Sequence, residues 1–388
     1  MKYFSVPADF KKETIDRYEA LNRRYKDAKV LETYGQLTSV GLVNSGRVTE
    51  VLPNVDVKSF TEYVSYSKDK GIDFNYTLNP SCLGNMEFSE AGMEQLIAQL
   101  KLIKSLGVDS LTLTSPQLME LVKGVGLGFK IKASAICEIT SPSKALFYKK
   151  MGVERVVVDP DITRNFEKLK NICKGFGSGV EIIINNVCYK DCAYKMFHYN
   201  HEAHCTKDHP EQTIRNYYFN RCSMQKASGY KNSVRLNWIR PEDLKYYTES
   251  GISYFKLQGR QNIVNGDGAK TLEHYFNGDF DGNLFDLITM FAPYNSFQPY
   301  MDNKKLDGFV KTFYDHPTFC KDLCDSCKYC EKYAMKCIDR SSVEELNKQA
   351  LDFYTAYDDY THGIRRHVRS TSRNEGFTNT ELDCEFEF

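Results

Sequence analysis

Residues 110–136, "SLTLTSPQLMELVKGVGLGFKIKASAI", decide how the rest of the chain is read. Runs with the composition of strands stand at its two ends, 110–115 and 130–136, and the stretch between them is long enough for one helix. The same unit recurs on both sides. Further strands are predicted at 3–7, 29–35, 73–79, 155–160, 180–186 and 253–259. Most are apolar on both faces, as expected of parallel strands covered by helices. Amphipathic segments lie between them: 92–107, "GMEQLIAQLKLIKSLG", ends at Gly107, and 240–251 carries Pro241 at its start and Gly251 at its end.

Eight strands alternating with helices predict an α/β chain folded as a TIM-like (β/α)8 barrel. A doubly wound open sheet is the alternative, but no G-x-G-x-x-G follows the first strand. Two connections are longer than a barrel needs, 36–58 and 187–240. The second follows strand seven and so falls on the C-terminal face, where barrels of this kind place their chemistry. The boundaries that follow are a barrel over 1–298 with a Cys/His-rich insertion at 187–240, a small helical, cysteine-rich C-terminal extension over 299–365, and a flexible tail over 366–388.

The 388 residues carry 51 basic and 51 acidic side chains, so no net field draws the chain toward nucleic acid or an anionic membrane. Arg365, Arg366, Arg369 and Arg373 form a local basic stretch that acidic residues follow at once. The N-terminal residues lack the apolar core of a signal peptide, and no apolar run is long enough for a membrane span. A cytoplasmic location follows as the expectation. In a reducing compartment the 13 cysteines are more plausibly metal ligands or catalytic thiols than disulfides.

Those cysteines are clustered. Cys188, Cys192, Cys205 and Cys222 all fall on the excursion after strand seven, in and beyond "CYKDCAYKMFHYNHEAHC" (188–205). Four soft thiolates favour zinc or an iron–sulfur cluster, and the irregular spacing favours the cluster over a zinc knuckle. His198, His201 and His204 recur every three residues. They are either zinc ligands with Cys205 or polar groups around a cluster. A second group, "FCKDLCDSCKYCEKYAMKC" (319–337), holds Cys320, Cys324, Cys327, Cys330 and Cys337, a strong metal signal that fits a second cluster or zinc. Cys82, at the end of strand three, is a more distant candidate ligand.

"GVEIIINNVCYKDC" (179–192), the "HC" of 204–205 and "WIRPEDLKYYTESGISYFKLQGR" (238–260) resemble the collagenase-like peptidase family U32. Its hallmarks are a strand ending in cysteine, further cysteines downstream, and a closing K-[IL]-x-G-R strand. Here Gln258 stands where many members have glutamate, and the C-terminal cysteine segment lies outside the common core. The resemblance implies a TIM-like barrel. It also implies, as in several members, a [4Fe-4S] cluster on four cysteines serving oxygen-independent hydroxylation of tRNA, ribosomal RNA or a ubiquinone precursor.

Three functions are thereby in view. In the first, Cys188, Cys192, Cys205 and Cys222 hold a cluster at the barrel mouth. Tyr34, Asn79, Glu138, Asp159, Asn185, Lys256 and Arg260 line the substrate pocket at neighbouring strand ends. His198 or His201 moves protons there, and Lys256 and Arg260 bind an acidic group or pair with carboxylates inside the barrel. The substrate is a small molecule or peptide, or RNA, with an electron donor or partner subunit. In the second, a hydrolase uses the histidine-rich helix with Glu202 as base, although neither G-x-S-x-G nor H-E-x-x-H occurs. In the third, the chain is a non-catalytic, cluster-bearing subunit.

Overall fold

The computed structural model describes residues 1–39, 45–47, 51–204, 217–293, 297–324 and 326–375. Cys205 and Cys384 lie outside the described residues. The strands β1 (Lys2–Pro7), β2 (Ala28–Gly35), β3 (Asp73–Leu78), β4 (Ser110–Leu113), β5 (Lys130–Ala133), β6 (Arg155–Val157) and β7 (Val180–Ile183) run parallel in sequence order. The chain then leaves the sheet to form a small antiparallel hairpin of β8 (Asn185–Tyr189) and β9 (Leu236–Trp238). It returns as β10 (Tyr254–Lys256), which pairs with both β7 and β1 and closes an eight-stranded barrel. All eight predicted strands are present, so the barrel reading holds and the open sheet falls.

Local chemistry sets the helices between them. Helices Val57–Asp69, Glu90–Ser105, Pro116–Val125, Pro142–Lys150 and Phe166–Phe176 each begin behind a side chain that accepts a free backbone N–H. Those side chains belong to Asp56, Ser89, Ser115, Ser141 and Asn165. Gly107 turns the chain into β4 at φ +84°, a conformation that a side chain resists. Apolar residues on the strands, among them Phe4, Val30, Phe74, Leu111, Ile131, Val156 and Phe255, are buried in one continuous core with the helices.

The barrel interior departs from the apolar-on-both-faces expectation. Lys132 on β5 reaches across to Glu32 on β2, to Glu181 on β7 at 2.7 Å and to Ser5 on β1 at 3.2 Å. Arg155 on β6 adds a contact to Glu32 at 3.1 Å. These contacts join non-adjacent strands, so the side chains point inward. The interior is filled by paired charge. Burial alone would lift the Glu32 carboxyl, but Lys132 and Arg155 outweigh it and hold the group down at about 2.

The C-terminal segment packs onto the barrel. Met301, Leu306, Phe309, Val310, Phe313, Ala334 and Ile338 belong to the same buried core as the strands. Arg240, buried after β9, grips Asp243 through two bonds of 2.8 and 3.1 Å, the Asn303 carbonyl at 2.7 Å and Asp307 at 2.9 Å. The helix Arg340–Ala356 lies against the insertion helix Tyr217–Ala227 through Ala227, Ala350 and Tyr354. A helix runs over Asp359–Glu375, past residue 366 where a flexible tail was expected. Neither glycine nor proline occurs between Gly363 and Gly376 to stop it. Among the described residues no helix is long and apolar enough to cross a membrane.

Candidate active site at the barrel mouth

The C-terminal ends of the strands open beneath the insertion, and its helix Lys195–His204 is tethered there at two points. Lys195 donates to Asp159, just beyond β6, and to Asp161, both at 2.7 Å, with Glu138 beyond β5 at 3.9 Å. Asn200, one and a half turns on, accepts from the Ser81 hydroxyl at 2.7 Å, beyond β3. Burial alone would lower the Lys195 amine. Its two aspartates instead hold it above the ordinary lysine value. Glu138 takes a left-handed backbone (φ 50°), a strained conformation of the kind that gathers at functional sites.

Arg260 and Lys256 both face this region. One terminal nitrogen of Arg260 donates to Gln36 at 2.9 Å, Ser45 at 2.7 Å and Thr77 at 2.8 Å. Its other nitrogens make no hydrogen bond among the described residues, and burial lowers the guanidinium to about 10. Lys256 lies over the Tyr34 ring, 4.0 Å from its centroid, and Tyr34 donates its hydroxyl to the Leu257 carbonyl at 2.7 Å. The two acids below, Glu32 and Glu181, are already matched by Lys132 and Arg155, so Lys256 is the surplus cation. Burial first, and then repulsion from Lys132, bring its amine down to about 7.

That depression has a measurable consequence. Below pH 7 the folded and unfolded chains both carry the Lys256 proton, and the fold bears the whole penalty. Above 7 only the unfolded chain keeps it, so folding stability rises with pH toward the free-amine value. Lys256→Met is expected to stabilise the protein at pH 6 by on the order of 3 kcal/mol, an advantage that shrinks between pH 7 and 10. Urea unfolding at both ends of that range reads it.

The cysteines of the insertion approach one another at the mouth. Cys188, Cys192 and Cys222 lie within electrostatic reach of each other, with Lys226 and Arg47 beside Cys188. Tyr199 lies among Cys188, Arg47, Lys195 and Asp159. Asn186 accepts from the Cys188 backbone N–H at 2.8 Å and donates to the Gln258 side chain at 3.3 Å, so Gln258 braces the cysteine strand. Asn185 donates to the Gln258 carbonyl at 2.9 Å and accepts from its N–H at 2.7 Å. The described cysteines carry no disulfide, and no three metal-binding side chains among the described residues converge tightly enough for a single ion. Cys82 bonds its own loop, its sulfur accepting from the Gly84 N–H at 3.4 Å.

His198 and His201 both pack against Tyr218, each with ring centroids 5.5 Å apart, and His198 has Glu202 at 3.5 Å. The histidines are therefore taken up between the two insertion helices. Asn79 donates to Ser134 at 3.1 Å across neighbouring strand ends. Lys195, Asp161, Arg47, Tyr199, Gln36, Ser45 and Thr77 escaped the sequence reading. Lys195 alone left a trace, three residues past Cys192 at the start of an amphipathic stretch.

The C-terminal cysteines divide. Cys320, Cys324 and Cys330 line a cavity of about 420 Å³ with Arg164, Arg235 and Lys190, and Cys327 is exposed close by. Cys337 stands apart from them. It closes the helix Tyr329–Cys337, seven residues and so about 10 Å along the axis from Cys330, and is buried in the core with Asp302, Lys305 and Lys336 as its charged neighbours.

The model of "Peptidase family U32" matches residues 45–275. The "Uncharacterized protease MJ1657" of Methanocaldococcus jannaschii is 29% identical over 337 residues, covering 86% of this chain and 98% of that protein. A solved structure, "The Structure of the U32 Peptidase Mk0906", is similar at a TM-score of 0.47 and 17% identity, covering 66% of this chain and 92% of that one.

Proposed function

The chain belongs to peptidase family U32, and from that premise we propose that it is an iron–sulfur enzyme acting at the barrel mouth. Its reaction is the oxygen-independent hydroxylation, or a related redox modification, of a small molecule or peptide, with RNA as the larger alternative. The observation that supports this reading is that Cys188, Cys192 and Cys222 of the insertion lie within electrostatic reach of one another, with Lys226 and Arg47 near Cys188. Soft sulfurs are the donors that iron–sulfur clusters take. Burial raises the Cys188 and Cys192 thiols, and the nearby cations offset only part of that rise. Cys205, the fourth candidate, lies outside the described residues. A cluster bound there would supply one-electron chemistry.

This chain's own residues do the rest. Arg260, anchored through one nitrogen, has the remainder of its guanidinium for an acidic group on the substrate. Lys256, poised near neutrality, accepts or returns a proton at its Nζ. The Lys195 anchor holds the insertion over the mouth and limits water. The free thiols suit a reducing cytoplasm, where an electron donor or partner subunit is to hand.

A hydrolase remains the second reading, favoured by the His198–Glu202 pair on the insertion helix. Anaerobic preparation separates the two. The wild type is expected to be brown, with iron and acid-labile sulfide that Cys188→Ala loses. A colourless wild type with stoichiometric zinc and peptide-bond cleavage would support hydrolysis instead.

A further inference from the structure

The cavity beside the mouth has features that a packing defect lacks. It opens between the loop after β6, the β8–β9 hairpin and the segment around Cys320, and three sulfurs face it. Arg164 forms its inner wall, stacked over Trp238 and Phe309 at 5.0 and 4.8 Å. It donates to the carbonyls of Val234 and Leu236 at 3.1 and 2.6 Å. Its Nε is buried without a hydrogen-bond partner, and no carboxylate forms an ion pair with it among the described residues. Cys320 and Cys330 are its electrostatic neighbours together with Asp243, and Asp161, Asp191 and Asp322 line the same cavity, but none of these carboxylates forms an ion pair with it. A buried guanidinium without a close anion is costly.

We propose that this cavity houses a second polynuclear iron–sulfur centre, held by Cys320, Cys324, Cys327 and Cys330 and facing Arg164. Cys320, Cys324 and Cys330 line the cavity, and Cys327 lies between them in sequence. Four soft thiols of this kind suit a multi-iron core, whereas a lone zinc ion draws its four ligands tightly together. Thiolates on such a centre would place negative charge close to Arg164, which has no ion pair among the described residues. The centre is also a neighbour of the mouth. Lys190, midway between Cys188 and Cys192, forms an ion pair with Asp322, midway between Cys320 and Cys324. With Cys327 exposed on the outer side, the position is that of a relay that gains one electron from a soluble one-electron donor protein and passes one on, with no bond made or broken.

The relay role rests on the cluster proposed at the mouth, whereas the existence of this centre does not. The test uses the full-length chain purified anaerobically, with iron, sulfide and zinc assays and electron paramagnetic resonance after dithionite reduction. Cys324→Ser/Cys330→Ser is expected to lose about half the iron and sulfide of the wild type, and Cys188→Ser the other half. The reduced wild type is expected to show a signal broadened by two interacting centres, which either variant sharpens. Cys327→Ser, at an exposed position, keeps the fold intact and is expected to lower iron or shift the signal alone. Iron unchanged in both of these C-terminal variants, or zinc in their place, overturns the proposal. Iron lost from these variants but not from Cys188→Ser would sink the mouth cluster and leave this one standing.

Discussion

Replacing Lys132 with methionine is expected to cost about 3–5 kcal/mol of folding stability, the range for removing one partner of a buried charge pair. The amine is 4% exposed at the centre of the barrel and bonds to carboxylates that are 5% and 0% exposed. Without it, Glu181 loses its 2.7 Å ion pair and Glu32 keeps only Arg155 at contact distance, with Lys256 the more distant cation near both. Urea unfolding at pH 7 reads the loss. The dependence on pH gives the physical check. Folded Glu32 titrates at about 2, below its unfolded value, so its contribution is present above pH 4.5 and is lost as pH falls toward 2. The gap between wild type and variant should therefore narrow in acid. A gap independent of pH would mean that methionine disturbs packing and that charge pairing is not the cause. Replacing Glu32 by glutamine in the same chain should recover part of the loss, because the two residues act as one unit.

Lys195→Met is expected to have a comparable effect with a different readout. It strands Asp159, whose side chain is fully buried, and Asp161, at 11% exposure. The cost is again about 3–5 kcal/mol if the barrel end bears it. The helix Lys195–His204 can escape that cost by lifting off the mouth, since Asn200–Ser81 is then its remaining bond to the strand ends among those described. Limited proteolysis should cut the insertion sooner in the variant while the barrel core stays intact. Lys195→Met/Asp159→Asn should restore resistance in part, because the buried charge leaves with its partner. Unchanged proteolysis together with unchanged stability would show that the tether holds nothing in place.

Both effects come from charges that meet only after folding, and this marks what could be read from the chain. The eight strands were legible because short apolar, β-branched runs bounded by turn residues admit few other structures. Their spacing with helices between them then admits few other folds. The clustering of the cysteines is plain in the sequence, and the fold keeps Cys188, Cys192 and Cys222 near one another and sets Cys320, Cys324 and Cys330 around one cavity. The helix over Asp359–Glu375 was hidden, because a polar, arginine-rich segment looks alike as helix or as coil.

The composition of the barrel interior was not legible. Lys132 and Glu32 are 100 residues apart, and each by itself looks like the solvent-facing member of a strand. Lys195 and Asp159, 36 residues apart, are equally silent about each other. Nor did anything in the order of residues place the C-terminal cysteines beside the insertion. The Lys190–Asp322 pair spans 132 positions.

Local propensity and hydrophobic period, which act over a few residues, were enough to specify the elements and their closure into a barrel. Which charges pair inside it, which cation is left over at Lys256, and which thiols share a cavity were decided by the packed structure alone. Electrostatic and metal-binding interactions depend on distance in space, and the chain sets that distance only when it closes.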